Sequence, residues 1–391
     1  MSSFDIKKEN VEHRFAKHNP HMLKNMFGSD DLTPFWIADM DFPIAEPITK
    51  ELQRLVDRGV YAYEFAADSV FNAIIDWNND RHALALERQS FVQITGVLTG
   101  ISLLIRELTQ VGDGILIQTP VYHQFPRLIK ASNRRIVRNP LRIVEGEYRM
   151  DFIDLEKKLQ SENVKIILLC NPHNPIGRVW NQEELQQLVA LAEAYELRII
   201  SDEIHADIIY PGHKFNSILS MPESRHIALL GSPAKTFGMQ SIANGYLYIR
   251  EETIRKHIKD IVEGMYLDHG NAFTTFGTIA AYQHGGPWVD ELIAYLGETI
   301  QWIRSYLHKE FPMIKMYPVE GTYQIWLDFR EMNLDSEELN SLLIDKARLA
   351  LTPGSWFGKE SSLFMRMNIA SPLSSIQQAF EQLKQAYDGR V

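Results

Sequence analysis

The 391-residue chain carries 40 Lys and Arg against 50 Asp and Glu, a formal net charge of -10, and 45% of its residues are hydrophobic. These values are typical of a soluble globular protein, and the length predicts two or perhaps three domains. The acidic balance argues against nucleic acid or an anionic membrane as the main partner, because each attracts a basic surface.

The N-terminal stretch MSSFDIKKENVEHRF is polar and lacks the apolar region of a signal peptide. No stretch of the sequence approaches the roughly 20 apolar residues of a membrane span. A single cysteine, Cys170, excludes an internal disulfide framework and a multi-cysteine metal site. We therefore expect a cytoplasmic protein with no membrane contact.

The first apolar helix in chain order is predicted in TGVLTGISLLIRELTQ. Thr95, Gly96 and Gly100 precede and open it, and the free backbone N–H groups of a helix N-terminus can bind an anion. Taken alone, this pattern is more typical of an ordinary loop. It matches neither the P-loop nor the dinucleotide-binding glycine motif.

Through the middle of the chain, short apolar runs alternate with amphipathic helical patterns. The runs are DGILIQTP, NVKIILLCNP, LRIISDE, HIALLGS and NGYLYIR. Residues 181–196 repeat leucine, valine and alanine at helical spacing, which predicts a crossover helix between the second and third runs. The alternation predicts an α/β fold whose sheet is mostly parallel, with helices on both faces.

The C-terminal third has a different pattern. VDELIAYLGETIQWIRSYLHKEF predicts a long helix, and MIKMYPVEG, YQIWLDF and FMRMNIAS resemble strands around a helix at SEELNSLLIDK. This region is predicted to form a second, α+β domain, with a boundary near the HGGPW turn at 284–288.

Polar residues stand at the ends of several predicted strands. Two Asn-Pro pairs follow the second run, and their rigidity suits Asn171 to hold its amide toward a ligand, although a stiff loop without a ligand is the alternative. Asp202 and His205 end the third run, and Lys235 follows the fourth. A lysine amine can form a Schiff base with an aldehyde, and a carboxylate can keep a pyridine nitrogen protonated. Judged individually, these residues are more often paired or solvated surface groups.

The order of these features resembles the fold type I pyridoxal-phosphate enzymes across nearly the whole chain. The motifs that carry the resemblance are PFWIADMDFPIAEPI, GVYAYE, TGVLTG, CNPHNPIGRVW, SDEIHADIIYPGHK, AKTFGM, GGPWVDELIAYL, YQIWLDF and FMRMNIASP. WIADMDF and SDEIHADI are specific to the C-S β-lyase branch, the PatB and MalY-like cystathionine β-lyases. The resemblance implies a mostly parallel seven-stranded sheet in a large domain of residues 60–285, and a small α+β domain of residues 1–59 and 286–391.

The resemblance also implies pyridoxal 5′-phosphate as the cofactor and assigns residues to it. Lys235 is similar to the lysine that forms the Schiff base, and Asp202 to the partner of the pyridine nitrogen. Asn171 and His205 are expected near the phenolic oxygen of the ring. Tyr122 is expected to stack on the ring as part of the catalytic set, although core packing explains it about as well from sequence alone.

The phosphate is expected to bind the backbone of a glycine-containing turn, a hydroxyl and a residue of a second subunit. These are Gly96, Val97 and Leu98, then Ser232, and Tyr63 from the neighbouring subunit. The chain is therefore predicted to form a homodimer with shared active sites.

Arg366 is similar to the family's arginine for the substrate carboxylate. Its planar fork can donate two parallel hydrogen bonds, and an arginine among apolar residues needs an anion, for which an internal Asp or Glu is the alternative. Trp36, Ile37 and Asn171 are expected on the substrate side of the pocket, with Trp356 as a weaker candidate.

Three features depart from the family pattern. Ala234 stands where serine is common, and Ala243 stands where aspartate-type aminotransferases carry a phosphate-binding arginine, which favours the lyase branch. The segment KHNPHMLKNMFG also differs from the usual N-terminal pattern.

The predicted function is a pyridoxal-phosphate-dependent C-S β-lyase that cleaves L-cystathionine, L-cysteine or related S-substituted cysteines to pyruvate, ammonia and a thiol or hydrogen sulfide. A class I or II aminotransferase is the alternative enzyme. A regulatory protein that binds a transcription factor is the alternative from another class. A metal enzyme is disfavoured because the 13 histidines show no HExxH-type spacing.

Overall fold

The computed structural model describes residues 3–5, 14–64, 69–222 and 226–389. In chain order the strands are β1 (Thr33–Pro34), β2 (Phe91–Ile94), β3 (Gly114–Thr119), β4 (Arg135–Pro140), β5 (Arg142–Val144), β6 (Glu147–Arg149), β7 (Val164–Cys170), β8 (Arg198–Asp202), β9 (Ile227–Gly231), β10 (Gly245–Ile249), β11 (Lys315–Met316), β12 (Gln324–Asp328), β13 (Leu349–Ala350), β14 (Thr352–Pro353) and β15 (Phe364–Asn368).

The α-helices cover both faces of the main sheet and flank a smaller one. In chain order they are α1 (Pro20–Phe27), α2 (Glu46–Arg58), α3 (Ser69–His82), α4 (Val97–Leu108), α5 (Gln124–Ala131), α6 (Phe152–Ser161), α7 (Gln182–Ala194), α8 (Ala234–Phe237), α9 (Glu252–Gly264), α10 (Ala272–His284), α11 (Gly286–Glu310), α12 (Ser336–Asn340) and α13 (Leu373–Asp388).

The main sheet has seven strands in the order β2-β10-β9-β8-β7-β3-β4. Strand β10 runs antiparallel to both of its neighbours, and the other neighbouring pairs are parallel. The predicted seven-stranded, mostly parallel sheet is therefore confirmed, and the five apolar runs form β3, β7, β8, β9 and β10. The predicted crossover helix is α7, whose N-terminus is closed by a capping box between Asn181 and Glu184.

Successive side chains of the central strands enter different apolar clusters. In β3, Ile115 and Ile117 pack in a cluster with residues of α4, α5 and α9, whereas Leu116 packs in a cluster with residues of α3, α6 and α7. Since side chains alternate across a strand, both faces of the sheet are covered by helices. All six residues of β3 are buried.

A smaller sheet of the order β11-β12-β15-β14 lies in the C-terminal third and is antiparallel. Its apolar side chains form a cluster with residues of α11 and α13, including Leu292, Ile325 and Phe380. The predicted long helix is α11, and the helix predicted at SEELNSLLIDK is α12 followed by a π-helix over Ser341–Lys346. Strand β1 pairs with β13, which joins the N-terminal segment to this region. The proposed division into two domains at residue 285 stays a prediction.

Within the described ranges, no helix combines the length and the apolar composition that crossing a membrane requires.

Candidate active site

A cavity of about 310 Å³ opens at the carboxyl edge of the main sheet. Its size is within the range of small-ligand pockets. Residues from strand ends, helix N-termini and the 38–40 segment line it: Ala38, Thr95, Gly96, Val97, Leu98, Thr99, Tyr122, Cys170, Asn174, Asp202, Ile204, His205, Ser232, Ala234, Lys235, Gln240 and Ala243. The position follows from topology, because neighbouring parallel strands end at the same edge of a sheet and create a crevice there.

Asp202 is the last residue of β8 and lies opposite Cys170 of β7 and Leu230 of β9. Its Oδ1 accepts a hydrogen bond from the backbone N–H of Ile204 at 3.2 Å. Burial raises the pKa of Asp202 to about 7, only partly opposed by that hydrogen bond and by the charge of Lys235. A cationic ring nitrogen beside this carboxylate would favour its ionised form.

Lys235 lies on α8 and reaches the same cavity. Its Nζ donates a hydrogen bond to the backbone oxygen of Ala38 at 2.7 Å, and the hydroxyl of Tyr323 donates to that oxygen at 3.0 Å. Burial lowers the pKa of Lys235 to about 8, and the nearby charge of Asp39 opposes the shift. The amine therefore has a substantial neutral, nucleophilic fraction near physiological pH.

The N-terminus of α4 forms one end of the cavity. Gly96, Val97, Leu98 and Thr99 all line it, and the first backbone N–H groups of a helix have no partner inside the helix. A Cβ atom on Gly245 would lie 2.9 Å from the backbone nitrogen of Val97, so a glycine there lets β10 approach this turn. This helix N-terminus is a suitable site for a phosphate group.

Ser232 also lines the cavity, and its Oγ donates to the backbone oxygen of Asn244 at 2.7 Å. The backbone N–H of Ala234 donates to the same hydroxyl at 3.2 Å. Ala234 and Ala243, the two departures from the family pattern, line the cavity as well. Their methyl groups supply no hydrogen bond to an anion.

Two aromatic residues predicted to contact the cofactor ring line the cavity. Tyr122 packs edge-on against His123 and Phe125. His205 packs edge-on against Tyr323, with ring centroids 5.7 Å apart. Burial lowers the pKa of His205 to about 3, so its imidazole is neutral at physiological pH. Among the described residues its buried Nδ1 has no hydrogen-bond partner, which leaves it available to a ligand.

Asn171 does not line this cavity among the described residues, whereas Asn174 does. The Nδ2 of Asn171 donates to the backbone oxygen of Asn216 at 2.9 Å, and its backbone N–H donates to the backbone oxygen of Asp202 at 2.9 Å. The buried Oδ1 of Asn171 has no hydrogen-bond partner among the described residues, so its predicted ligand contact stays a prediction. Asn174, the second asparagine of CNPHNP, lines the cavity instead. Because both asparagines precede a proline in the same loop, the local pattern alone did not distinguish them.

Arg366 of β15 is buried and is not among the described residues that line the cavity. It donates to groups from three separate segments, one of which is the cavity-lining Asn174. Its guanidinium bonds the backbone oxygen of Trp36 at 2.7 Å, Asn174 Oδ1 at 3.2 Å and Thr352 Oγ1 at 3.2 Å. In the described part of the chain, no carboxylate lies within 4.0 Å of this guanidinium, and its buried Nε has no partner. The described residues therefore do not provide Arg366 with an internal Asp or Glu as its anion.

Trp36 contacts this arginine through its backbone oxygen, whereas the backbone oxygen of Ile37 is bonded by a different residue. The indole of Trp36 donates to the backbone oxygen of Lys17 at 3.1 Å and packs edge-on against Phe27. The carbonyl oxygen of Ile37 accepts a hydrogen bond from Asn368 at 2.6 Å. Of the segment 36–38, only Ala38 is among the described residues that line the cavity.

Trp356 lies nearby, with its ring centroid 5.7 Å from that of His123. It also stacks on Phe27 at 6.4 Å. It belongs to the same aromatic group as Trp36 and is not among the described lining residues.

Tyr63 lies apart from the cavity, and its side chain is 99% exposed. It adjoins residues 65–68, which lie outside the described residues. In a single chain this tyrosine contacts no part of the candidate site, so its predicted contact depends on a second subunit.

The residues present fit pyridoxal 5′-phosphate. The helix N-terminus and Ser232 suit its phosphate, Asp202 suits its ring nitrogen, and the unpartnered Nδ1 of His205 and the amide of Asn174 suit its ring oxygen. Lys235 would supply the amine for its aldehyde. Within the described ranges, no group of three or more His, Cys, Asp or Glu residues is arranged to hold a metal ion.

The chain is similar to known proteins over most of its length. Residues 42–383 match the family model described as aminotransferase class I and II. The chain is 33% identical to cystathionine beta-lyase PatB of Bacillus subtilis over 98% of its length and 99% of the relative's. It is 33% identical to protein MalY of Escherichia coli over 91% of each chain. Cystalysin from Treponema denticola, whose crystal structure contains pyridoxal 5′-phosphate, superposes with a TM-score of 0.91 at 28% identity over 100% of both chains.

Proposed function

The chain belongs to the class I and II aminotransferase family, and we propose that within this family it is a pyridoxal-phosphate-dependent C-S β-lyase. Its substrates are L-cystathionine, L-cysteine or related S-substituted cysteines, and its products are pyruvate, ammonia and a thiol or hydrogen sulfide. One observation carries the proposal. Lys235 lines the cavity together with Asn174, and Asn174 accepts a hydrogen bond from Arg366, which has no carboxylate partner among the described residues. The chain that carries this arrangement aligns with cystathionine β-lyase PatB over almost its full length.

Arg366 binds the substrate's α-carboxylate in this proposal. The guanidinium already lies in a fixed orientation, because Trp36, Asn174 and Thr352 each accept one of its hydrogen bonds. Burial lowers the pKa of Arg366 to about 10, so the side chain remains a cation at neutral pH. A buried cation without a carboxylate partner gains most from an incoming anion.

Lys235 removes the proton from the substrate's α-carbon with its Nζ. The lowered pKa of this amine, about 8, makes a neutral base available at physiological pH. When bound, pyridoxal phosphate acts as an electron sink that stabilises the α-carbanion, so that the sulfur on the β-carbon can leave as a thiolate. The proton taken by Lys235 stays beside the substrate and can be returned to the departing group.

Asp202 and His205 set the electrostatic environment of the ring. The carboxylate of Asp202 stabilises positive charge on the ring nitrogen, which strengthens the electron-accepting character of the cofactor. His205 lines the cavity as a neutral imidazole, and its buried Nδ1 has no hydrogen-bond partner among the described residues. Tyr122 provides the aromatic face against which the ring stacks.

A direct test incubates the purified protein, loaded with pyridoxal 5′-phosphate, with L-cystathionine. We expect pyruvate and free thiol to appear in equal amounts without any amino acceptor. Pyruvate and thiol that stay at background, together with keto-acid formation that requires an added amino acceptor, would instead identify an aminotransferase. The methyl group of Ala243 in the cavity favours the lyase, because a phosphate-binding arginine of the aspartate aminotransferase type is absent there.

We also propose that the protein is a homodimer in the cytoplasm, in which Tyr63 completes the phosphate site of the other subunit. The 99% exposure of this large aromatic side chain supports a covered position in an assembly. The single buried thiol of Cys170 suits a reducing compartment. Sedimentation of the full chain should give a mass near twice 45.1 kDa, and Tyr63→Phe should weaken cofactor binding without changing that mass.

A further inference from the structure

A second polar cluster adjoins Lys235 and faces a different part of the surface. Its centre is Asp207, which lines a cleft of about 620 Å³ on the side of α3 and α11 and is not among the described residues that line the active-site cavity. The Oδ2 of Asp207 accepts a hydrogen bond from the hydroxyl of Thr236 at 2.6 Å. Thr236 directly follows Lys235 on α8 and is 1% exposed.

The other oxygen of Asp207 binds two side chains of α3. Its Oδ1 accepts a hydrogen bond from the indole N–H of Trp77 at 2.8 Å and lies 2.7 Å from Nε2 of His82. Burial acts to raise the pKa of Asp207, but the hydrogen bond and charge of His82, together with Thr236 and Trp77, outweigh it and lower the pKa. The carboxylate is therefore ionised and connects three elements, namely α8, α3 and the segment after β8.

Helix α8 depends on such contacts because it is only four residues long. An isolated helix of this length is unstable, since few backbone bonds offset the cost of ordering it. Its backbone bonds include those from the N–H of Phe237 to the oxygen of Pro233 and from the N–H of Met239 to the oxygen of Ala234. Phe237 packs edge-on against Trp77 at 5.3 Å. Thr236 adds the polar contact on the same side.

We propose that Asp207 is a positioning residue for the catalytic lysine: it holds Thr236 so that α8 is fixed against α3 and Lys235 projects into the cavity at one defined place. This inference rests on the proposed function, because it assigns Asp207 to the same reaction. Adjacent residues of a helix point in different directions, so the hydroxyl of Thr236 can bond to Asp207 on one side of α8 while Lys235 faces the cavity on another. Small displacements of a reacting group are costly, up to about 100-fold in rate for about 1 Å.

The test compares Thr236→Val, Thr236→Ser and Asp207→Asn in the cofactor-loaded full chain. Valine removes the hydroxyl at nearly constant volume, and serine restores it. Thr299→Val is the matched control, because Thr299 is also buried and its hydroxyl donates to a backbone oxygen, that of Tyr295 within α11. Thr299 is distant from Lys235 in the sequence. For each variant we would measure kcat and KM, the dissociation constant of pyridoxal 5′-phosphate, and amide hydrogen exchange of residues 234–239.

Thr236→Val and Asp207→Asn should lower kcat about tenfold, with KM changed less than about twofold. Both should weaken cofactor binding and speed exchange at Phe237 and Met239, whereas Thr236→Ser and Thr299→Val should resemble the parent. The proposal is overturned if Thr236→Val has the same cofactor affinity and amide exchange as Thr299→Val. It is also overturned if Thr236→Ser loses as much cofactor affinity and kcat as Thr236→Val. Cofactor affinity and exchange need no substrate, so a parent protein without lyase activity would refute the proposed function separately.

Discussion

The two walls of the candidate site are built in different ways. The cofactor wall, defined as Gly96, Asp202, Ser232 and Lys235, comes from strand ends and helix starts of the main sheet. The substrate wall is defined as Trp36, Asn174, Thr352 and Arg366, and its hydrogen bonds join residues up to 330 positions apart. Sheet topology therefore places the cofactor wall, whereas the substrate wall depends on the packing of the N-terminal segment and the smaller sheet against it.

The contrast extends to charge. On the cofactor wall, burial raises the pKa of Asp202 to about 7 and lowers the pKa of Lys235 to about 8, so both shifts favour the uncharged form. On the substrate wall, Arg366 keeps its charge without a carboxylate partner among the described residues. Buried Arg178 differs, because it pairs with Glu184 at 2.8 Å and Glu320 at 2.5 Å. Arg178 is thus neutralised by carboxylates of the chain, whereas the described residues supply none to Arg366.

The largest expected effect comes from removing the reactive amine of the cofactor wall. Lys235→Ala should reduce kcat by about 10⁴-fold or more, because both the covalent attachment and the base are lost. Borohydride treatment followed by mass spectrometry should find the cofactor bound at residue 235 of the parent and nowhere in the variant. A Lys235→Ala variant that keeps a tenth of the parent's kcat would contradict the assignment of Lys235 as the covalent attachment site and the base.

The second effect is a pH dependence of stability. The pKa of Asp202 is raised from 3.8 to about 7 in the cofactor-free fold, so the folded state binds this proton more tightly than the unfolded state. The contribution of this proton to the free energy of unfolding is fully present below about pH 4 and is lost as pH rises through about 7. Between pH 4 and 8, the unfolding free energy of the parent should fall relative to Asp202→Asn by on the order of 4 kcal/mol.

Urea unfolding of both cofactor-free proteins across this pH range measures the difference. Glu203, whose pKa burial also raises to about 7, is present in both proteins, so its effect cancels in the comparison. Stability curves that stay parallel from pH 4 to 8 would show that Asp202 is already ionised without the cofactor.

The third prediction addresses the substrate wall. Arg366→Lys should raise KM for L-cystathionine about 100-fold, because a lysine cannot donate two parallel hydrogen bonds to the carboxylate. Its affinity for pyridoxal 5′-phosphate should stay within about twofold of the parent. Arg178→Lys provides the control: it should lower the melting temperature and leave KM nearly unchanged. Equal KM values for the parent and Arg366→Lys would show that this arginine does not bind the substrate carboxylate.

The smallest effect distinguishes the two asparagines of the CNPHNP loop. Asn174→Ala should lower kcat/KM about tenfold, since one acceptor of the Arg366 guanidinium and one cavity amide are lost together. Asn171→Ala should instead cost about 1 kcal/mol of stability through its lost bond to Asn216, with kcat/KM nearly unchanged. The reverse pattern would restore the sequence-based assignment of Asn171.

Much of the cofactor wall was predictable because it depends on local patterns. Alternating apolar runs predicted the strands and the polar residues at their ends. The family resemblance then assigned Asp202 and Lys235 to one cofactor, because either residue judged alone is more often a paired or solvated group. The same reasoning placed Gly96 at the start of α4. These residues need only the strand order and the common direction of parallel strands to meet.

Other features needed the tertiary structure. The sequence offers two equivalent Asn-Pro pairs, and only the folded loop shows that Asn174 faces Arg366 while Asn171 binds Asn216. Trp36 was expected on the substrate side of the pocket, and the folded chain shows that its carbonyl oxygen contacts Arg366. Periodicity reports which face of an element is apolar, and it carries no information about which distant backbone oxygen a buried donor will find.

The sequence by itself thus determined the main α/β architecture through its apolar periodicity and the family through its motifs, and the same motifs predicted the chemical groups of the cofactor wall. Only the tertiary structure decided which asparagine lines the cavity, that no carboxylate of the described residues pairs with Arg366, and that Asp207 holds the segment next to Lys235. Each of these depends on contacts between residues far apart in the chain, and such contacts form only when the layers pack.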